Sequence, residues 1–231
     1  MSVATQAPAV PQQATSLPGR QSIVLYGIDW ESYEKFLEAV GERRIFLTYD
    51  RGKLEIMAPL WNHEWWKRRV GYLLPVLGHE LKIKVQGGGS TTFRRRDLER
   101  GLEPDECFYI QHAVQMAGQR QLDLARDPPP DLALEIEITT SALDRMGIYA
   151  ALGVPEVWRY DGNVLHVHQL QPDGEYAERS TSANFPTLPL AAFVDFLNQT
   201  QNVTDDEILE VFRDWVQKNV PLSVPETGNG S

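Results

Sequence analysis

The stretch PDLALEIEITTSALDRMGIYAALGVPEVWRY, residues 130–160, decides the fold. Leu132, Leu134, Ile136 and Ile138 alternate with Asp131, Ala133, Glu135 and Glu137, the period-two pattern of a β-strand. One face is aliphatic. On the other, Glu135 and Glu137 point the same way, one pleat apart, and two like charges so placed call for a cation, solvent or a proton. Ser141 and Asp144 then have the chemistry of a helix start, followed by Leu143, Met146, Ile148, Tyr149, Ala151 and Leu152 as the apolar residues of a short helix that Gly153 ends. After Pro155, Val157-Trp158-Arg159-Tyr160 reads as a second strand, giving a strand-helix-strand unit with a right-handed crossover if its strands are parallel.

Working outward, residues 45–49 and 54–57 are strands joined by a turn at Asp50-Arg51-Gly52-Lys53, with Glu55 mid-strand. A helix capped by Asp29 precedes them, with Tyr33, Phe36, Leu37 and Val40 inward and Gly41 closing it. From Asn62, a plausible cap, to about Lys84 the spacing of Trp66, Val70, Leu73, Leu74, Leu77 and Leu81 is helical. His63 lies on the inward side of its start, and Lys67-Arg68-Arg69 reads as a solvated face. Glu103-Pro104-Asp105 leads into a short strand at 106–110. Residues 112–126 read as a surface excursion. Asp161-Gly162-Asn163 turns the chain back into a strand at 164–170, whose His166 and His168 share a solvated face. Residues 190–198 and 205–218 read as amphipathic helices, the second capped by Thr204.

At 231 residues with 42% hydrophobic content, the chain can form one substantial core. The expected organisation is a tail over residues 1–19, one domain over 20–218 and a flexible tail over 219–231. A formal charge of -10 excludes nucleic-acid binding by bulk electrostatics, so any such contact is local. Its sharpest basic cluster, Arg94-Arg95-Arg96, is either a docking point for a phosphate backbone or a charged turn. Gly87-Gly88-Gly89-Ser90 lacks the Gly-Lys-Ser/Thr that a phosphate loop needs. The single cysteine, Cys107, excludes an intrachain disulfide and reads as a buried strand residue. With no apolar run of membrane-spanning length and no signal-peptide layout, the expectation is a cytoplasmic protein without membrane contact.

The carboxylates carry the chemistry. The central strand leads into a helical crossover, where both faces are covered and unpaired carboxylates are costly. Mg²⁺ or Mn²⁺ relieves that cost, since such ions take oxygen ligands and keep several waters. Two or three carboxylates with open water positions are the arrangement used to activate water and stabilise charge on a phosphoryl group, with Asp105, Glu135 and Glu137 as the candidates; the alternative reading of the Leu134–Ile138 run is a half-exposed antiparallel strand.

Pro104-Asp105, then residues 130–139, then Tyr149 and Gly153-Val154-Pro155-Glu156-Val157-Trp158, resemble the Uma2 (DUF820-type) family of restriction-endonuclease-like proteins over about residues 45–170. The resemblance implies an α/β PD-(D/E)XK nuclease fold, a mixed β-sheet flanked by α-helices. It makes Asp105 the first metal-binding acid, Glu135 the second, and Glu55, before the Ala58-Pro59 turn and His63, an additional upstream acid. The triplet's third position holds Glu137 instead of lysine. The lysine that family members carry on the following helix, four residues before the tyrosine, is Arg145 here. Arginine keeps the charge but does not readily give up a proton. The implied activity is metal-dependent cleavage of nucleic acid, DNA foremost. Asp105 and Glu135 hold the ion, with the Ile136 carbonyl, Glu137 and Glu55 as further contacts; Arg145 orients water or stabilises the phosphorus, and His63 is an accessory. Cutting both strands favours a homodimer. The competing expectation is a non-catalytic module that keeps the fold for binding or assembly; a carboxylate-pair glycosidase lacks a sugar-stacking platform.

Overall fold

The computed structural model describes residues 21–41, 43, 45–58, 61–137, 141 and 143–222. The expected N-terminal tail, the C-terminal tail beyond 222, Pro59, Ile138 and Thr139 lie outside the described residues. The elements run β1 (Gln21–Tyr26), α1 (Trp30–Val40), β2 (Phe46–Asp50), β3 (Lys53–Ala58), α2 (Trp61–Leu81), β4 (Gln86–Gly87), β5 (Phe93–Arg95), β6 (Arg100–Leu102), β7 (Glu106–Tyr109), α3 (Ala113–Met116), β8 (Leu132–Ile136), α4 (Arg145–Leu152), β9 (Glu156–Tyr160), β10 (Leu165–Leu170), β11 (Tyr176–Arg179), α5 (Leu190–Gln199) and α6 (Ile208–Asn219). The described strands form a five-stranded sheet in the order β1-β3-β2-β6-β5 and a six-stranded sheet in the order β11-β10-β9-β8-β7-β4.

The expected strand-helix-strand unit forms. β8 pairs parallel to β9, with Glu135 opposite Arg159 and Ile136 opposite Tyr160, while every other pairing in both sheets is antiparallel. The second sheet is therefore mixed, and helices flank it, as expected. Asp144 starts α4 by accepting a hydrogen bond from the Gly147 N–H, and Gly153 ends it at φ 78°, in the left-handed region that glycine adopts at no steric cost.

β8 is buried along its whole length because both faces are covered. Leu132, Leu134 and Ile136 pack with Trp66, Val70 and Leu73 of α2 and with the aromatic residues of α5 and α6. On the opposite face, Ala133 packs with Val157 and with Ile148, Tyr149 and Leu152, the last three on α4. Each of those aliphatic side chains contributes on the order of 2 kcal/mol by leaving water. A one-residue slip of β8 would exchange them with Glu135, so the register that buries the aliphatic face also fixes where the carboxylate points.

Several expectations shift in detail. Asn62 lies inside α2, which already includes Trp61, so it is not the cap. The basic run of α2 divides: Arg68 is exposed, whereas Arg69 is buried and donates to the Val203 carbonyl at 2.8 Å. α6 begins at Ile208 because residues 205–207 form turns and the Thr204 hydroxyl bonds Glu207. Within 112–126, α3 buries Ala113 and Met116. Asp29 caps α1, Gly41 closes it, and Cys107 is buried, as read from the sequence. No helix among the described residues is long and apolar enough to cross a membrane.

Candidate active site

Six elements converge on one buried polar cluster. The five-stranded sheet supplies Thr48 on β2 and Glu55 on β3, directly opposite each other in the antiparallel ladder and so on one face. The six-stranded sheet supplies Asp105, immediately before β7, and Glu135 on β8. Helix α4 presents Arg145 and Tyr149, four residues apart and hence on one side of the helix, and the first turn of α2 presents His63. Thr48, Glu55, His63, Asp105, Glu135, Arg145 and Tyr149 are all buried.

Asp105 fastens to the strand beside it. Its Oδ2 accepts the Ile136 N–H at 2.6 Å and stands 2.8 Å from His63 Nε2, while the other ring nitrogen of His63 faces Glu64 at 3.4 Å. Glu135 is gripped through Oε1, which accepts from Arg145 Nε at 3.2 Å, from Arg145 Nη2 and from the Tyr149 hydroxyl. Arg145 also donates through Nη1 to Thr48 Oγ1 at 2.6 Å and through Nη2 to the Glu103 carbonyl at 2.7 Å. Its planar fork thus ties the second sheet to the first. Ser141, on the approach to α4, donates to Glu55.

Burial dominates the electrostatics. It raises the Glu135 carboxyl above its ordinary value; Arg145 works against this and the neighbouring Asp105 adds to it. Burial opposes the charge of Arg145, yet Glu135, Tyr149 and Asp105 hold the guanidinium pKa above its usual range. Burial and Glu135 push the Tyr149 hydroxyl well up, so it remains a donor. Burial also raises Glu103, whose carboxylate accepts from Thr92 at 2.8 Å. The cluster holds more carboxylates than cations in a site that disfavours charge.

The structure brings Asp105, Glu135, Arg145 and His63 together, with Glu55 joined through Thr48 and Ser141. Glu137 does not join them. β8 ends at Ile136, and both Glu137 carboxylate oxygens take Arg159, each at 2.6 Å. The run Arg94-Arg95-Arg96 is matched by carboxylates outside the cluster: Arg94 faces Glu34 at 3.7 Å, Arg95 binds Asp97 at 2.6 Å, and Arg96 binds Glu31. The anchoring roles of Thr48, Ser141 and Tyr149 were not visible in the sequence. Tyr149 alone carried a signal, its spacing of four from Arg145.

Among the described residues, no three His, Cys, Asp or Glu side chains form a ready-made metal cage. The donor set at the end of β8 is nevertheless all oxygen: Asp105 and Glu135 lie on adjoining strand ends, tied by the Ile136 N–H to Asp105. That chemistry fits a hard divalent ion that keeps water in most of its positions.

Residues 30–201 match the Uma2 family, described as "Putative restriction endonuclease". Among solved structures, one titled as a "putative nuclease belonging to DUF820" from Anabaena variabilis is similar, at 16% identity and TM-score 0.42, covering 65% of this chain and 84% of its own. No curated protein matches the chain.

Proposed function

The chain belongs to the Uma2 family, and from that membership and the buried acid cluster we propose that it is a metal-dependent endonuclease that hydrolyses phosphodiester bonds of DNA. One observation carries the metal requirement. Asp105 and Glu135 are buried side by side, and Glu135 is destabilised as a carboxylate by burial and by Asp105. A divalent cation relieves that destabilisation. Asp105 and Glu135 would hold Mg²⁺ or Mn²⁺, with the Ile136 carbonyl as a further contact. The ion, when bound, lowers the pKa of its water and stabilises charge on the phosphoryl oxygens.

The remaining residues set up those two acids. The Ile136 N–H and His63 fix one oxygen of Asp105, and Arg145 and Tyr149 fix one oxygen of Glu135. Arg145 makes four hydrogen bonds within the protein, so it acts as a positioning residue, holding Glu135 and offsetting negative charge. On a duplex substrate, cutting both strands favours paired sites, so sedimentation is used to look for a homodimer.

The test is a Mg²⁺ and Mn²⁺ titration of cleavage on labelled single- and double-stranded DNA, with Glu135→Gln alongside. Metal-dependent cutting that is lost in the variant supports the reading. Folded wild-type protein that binds neither metal nor cuts either substrate overturns it. A second reading, a nuclease fold kept as a binding or assembly module, is favoured by the internal engagement of Arg145 where the family carries lysine. DNA binding with metal bound and no cleavage would select it.

A further inference from the structure

Beside the acid cluster lies a second cavity of about 550 Å³, walled by α2, Glu106 and Asp205. His63 and Asp105 enter the acid site, while their immediate neighbours Glu64 and Glu106 line this cavity. The two are linked through Glu64, whose carboxylate stands 3.4 Å from the His63 ring that meets Asp105 at 2.8 Å.

The wall on α2 has a composition of its own. Trp61, Trp65, Arg68 and Tyr72 follow one another at spacings of four, three and four, which places them in a single stripe along the helix. Trp61 is 83% exposed and Tyr72 52% exposed, although exposing aromatic rings of that size to water is unfavourable. Trp65 meets Trp66 edge to face at 4.6 Å and the guanidinium of Arg69 at 4.8 Å. Arg68, 70% exposed, reaches across to Asp205 at 3.0 Å, an exposed ion pair that another anion can replace. Lys67 also lines the cavity.

Two exposed rings and a half-buried one, with cations beside them along a groove, match the chemistry of an unpaired nucleic-acid strand, with bases stacking on the rings and phosphates meeting Arg68 and Lys67. A duplex does not offer this, because its bases are already stacked on one another. We propose that the α2 stripe is a single-stranded DNA platform, which takes unstacked bases on Trp61, Trp65 and Tyr72 and leads the strand to the acid cluster. This rests on the reading of the chain as a DNA enzyme and specifies the form of DNA that it takes. The wall also carries Glu64, Glu106 and Asp205, so ring stacking outweighs net charge in affinity, and binding depends less on salt than in a basic groove.

The test is fluorescence anisotropy of a labelled single-stranded oligodeoxynucleotide, its duplex and the RNA of the same sequence, with the full chain in EDTA so that binding is separated from cleavage. Trp61→Ala and Tyr72→Ala remove exposed rings only and leave the core intact. The expected result is at least tenfold tighter binding of the single strand than of the duplex, falling about fivefold to a hundredfold in each variant. Equal affinity for both forms, or variants that bind like the wild type, would overturn the platform even if Glu135-dependent cleavage is observed. Stacking-dependent binding without cleavage would uphold it while the nuclease reading fails. RNA bound tenfold tighter than DNA overturns the choice of DNA. A dimer dissolved by Trp61→Ala with unchanged oligonucleotide binding would show that a second copy occupies the face.

Discussion

Arg145 and Glu135 meet through a single carboxylate oxygen: Nε and Nη2 of the arginine both donate to Glu135 Oε1, and both residues are buried. Removing one member of such a pair leaves the other charged and desolvated. Arg145→Ala is expected to lower stability by about 3–5 kcal/mol, read as a shift of the urea midpoint at constant slope. Arg145→Lys should fall between, since one ammonium cannot span Glu135, Thr48 and the Glu103 carbonyl. The double variant Glu135→Leu with Arg145→Met should recover much of the loss. An Arg145→Ala protein as stable as the wild type would refute the clamp.

Tyr149→Phe isolates one hydrogen bond. The ring keeps its place among Ile148, Leu152 and Val157, and the hydroxyl to Glu135 disappears. A hydrogen bond to a charged group contributes about 1.5–3 kcal/mol, so the variant should remain folded with a midpoint lower by that amount. Under the nuclease reading its kcat should fall while KM stays near the wild-type value, because Glu135 is less well oriented and the DNA contacts are untouched.

His63→Gln tests the partner of Asp105. A group that orients a metal-binding carboxylate without touching the metal influences affinity by about 10- to 100-fold. Mn²⁺ binding followed calorimetrically should weaken by that factor with little change in fold. Unchanged affinity would reduce His63 to a packing residue.

His168 should leave a mark on the acid side of the stability profile. Burial, with Arg159 adding to it, lowers its pKa below the ordinary value of 6.5, and its Nε2 has no hydrogen-bond partner among the described residues. In the window between the lowered folded value and 6.5 the unfolded chain binds more protons, so stability rises with pH there and is lost as pH falls through it. His168→Gln should flatten that limb in urea titrations between pH 5 and 7, a range set about the histidine value. His166, which faces Glu178 at 2.7 Å and lies nearer solvent, serves as the comparison.

The sequence reveals the parts of this architecture that rest on local rules. Alternation over residues 132–136 locates β8, Asp144 and Gly153 bound α4, and Asp50 to Lys53 turn one hairpin. β1 leaves no comparable trace: it is an edge strand with Ile23 and Tyr26 exposed, so no burial imposes a pattern on it. The site is legible to the extent that acids interrupt apolar strands. Thr48 is invisible because a threonine in the run Phe46-Leu47-Thr48-Tyr49 reads as an ordinary strand residue, and only pairing across two sheets gives it a partner in Arg145. Glu137 misleads for a related reason. The assigned strand ends at Ile136, and although the Glu137 N–H still bonds the Tyr160 carbonyl at 2.7 Å, Arg159 captures its side chain.

The cluster's residues are scattered along the chain, at positions 48, 55, 63, 105, 135, 145 and 149, and the two that grip Glu135 from α4 come after all the acids. During synthesis every acid of the cluster precedes the residues that grip Glu135, although Glu135 itself precedes Arg145 by only 10 residues. A nascent chain therefore carries the carboxylates as separate, solvated side chains, and any cutting centre comes into being only after α4 has been made and seated. Under the nuclease reading, the capacity to cut is acquired only once α4 is seated on the two sheets.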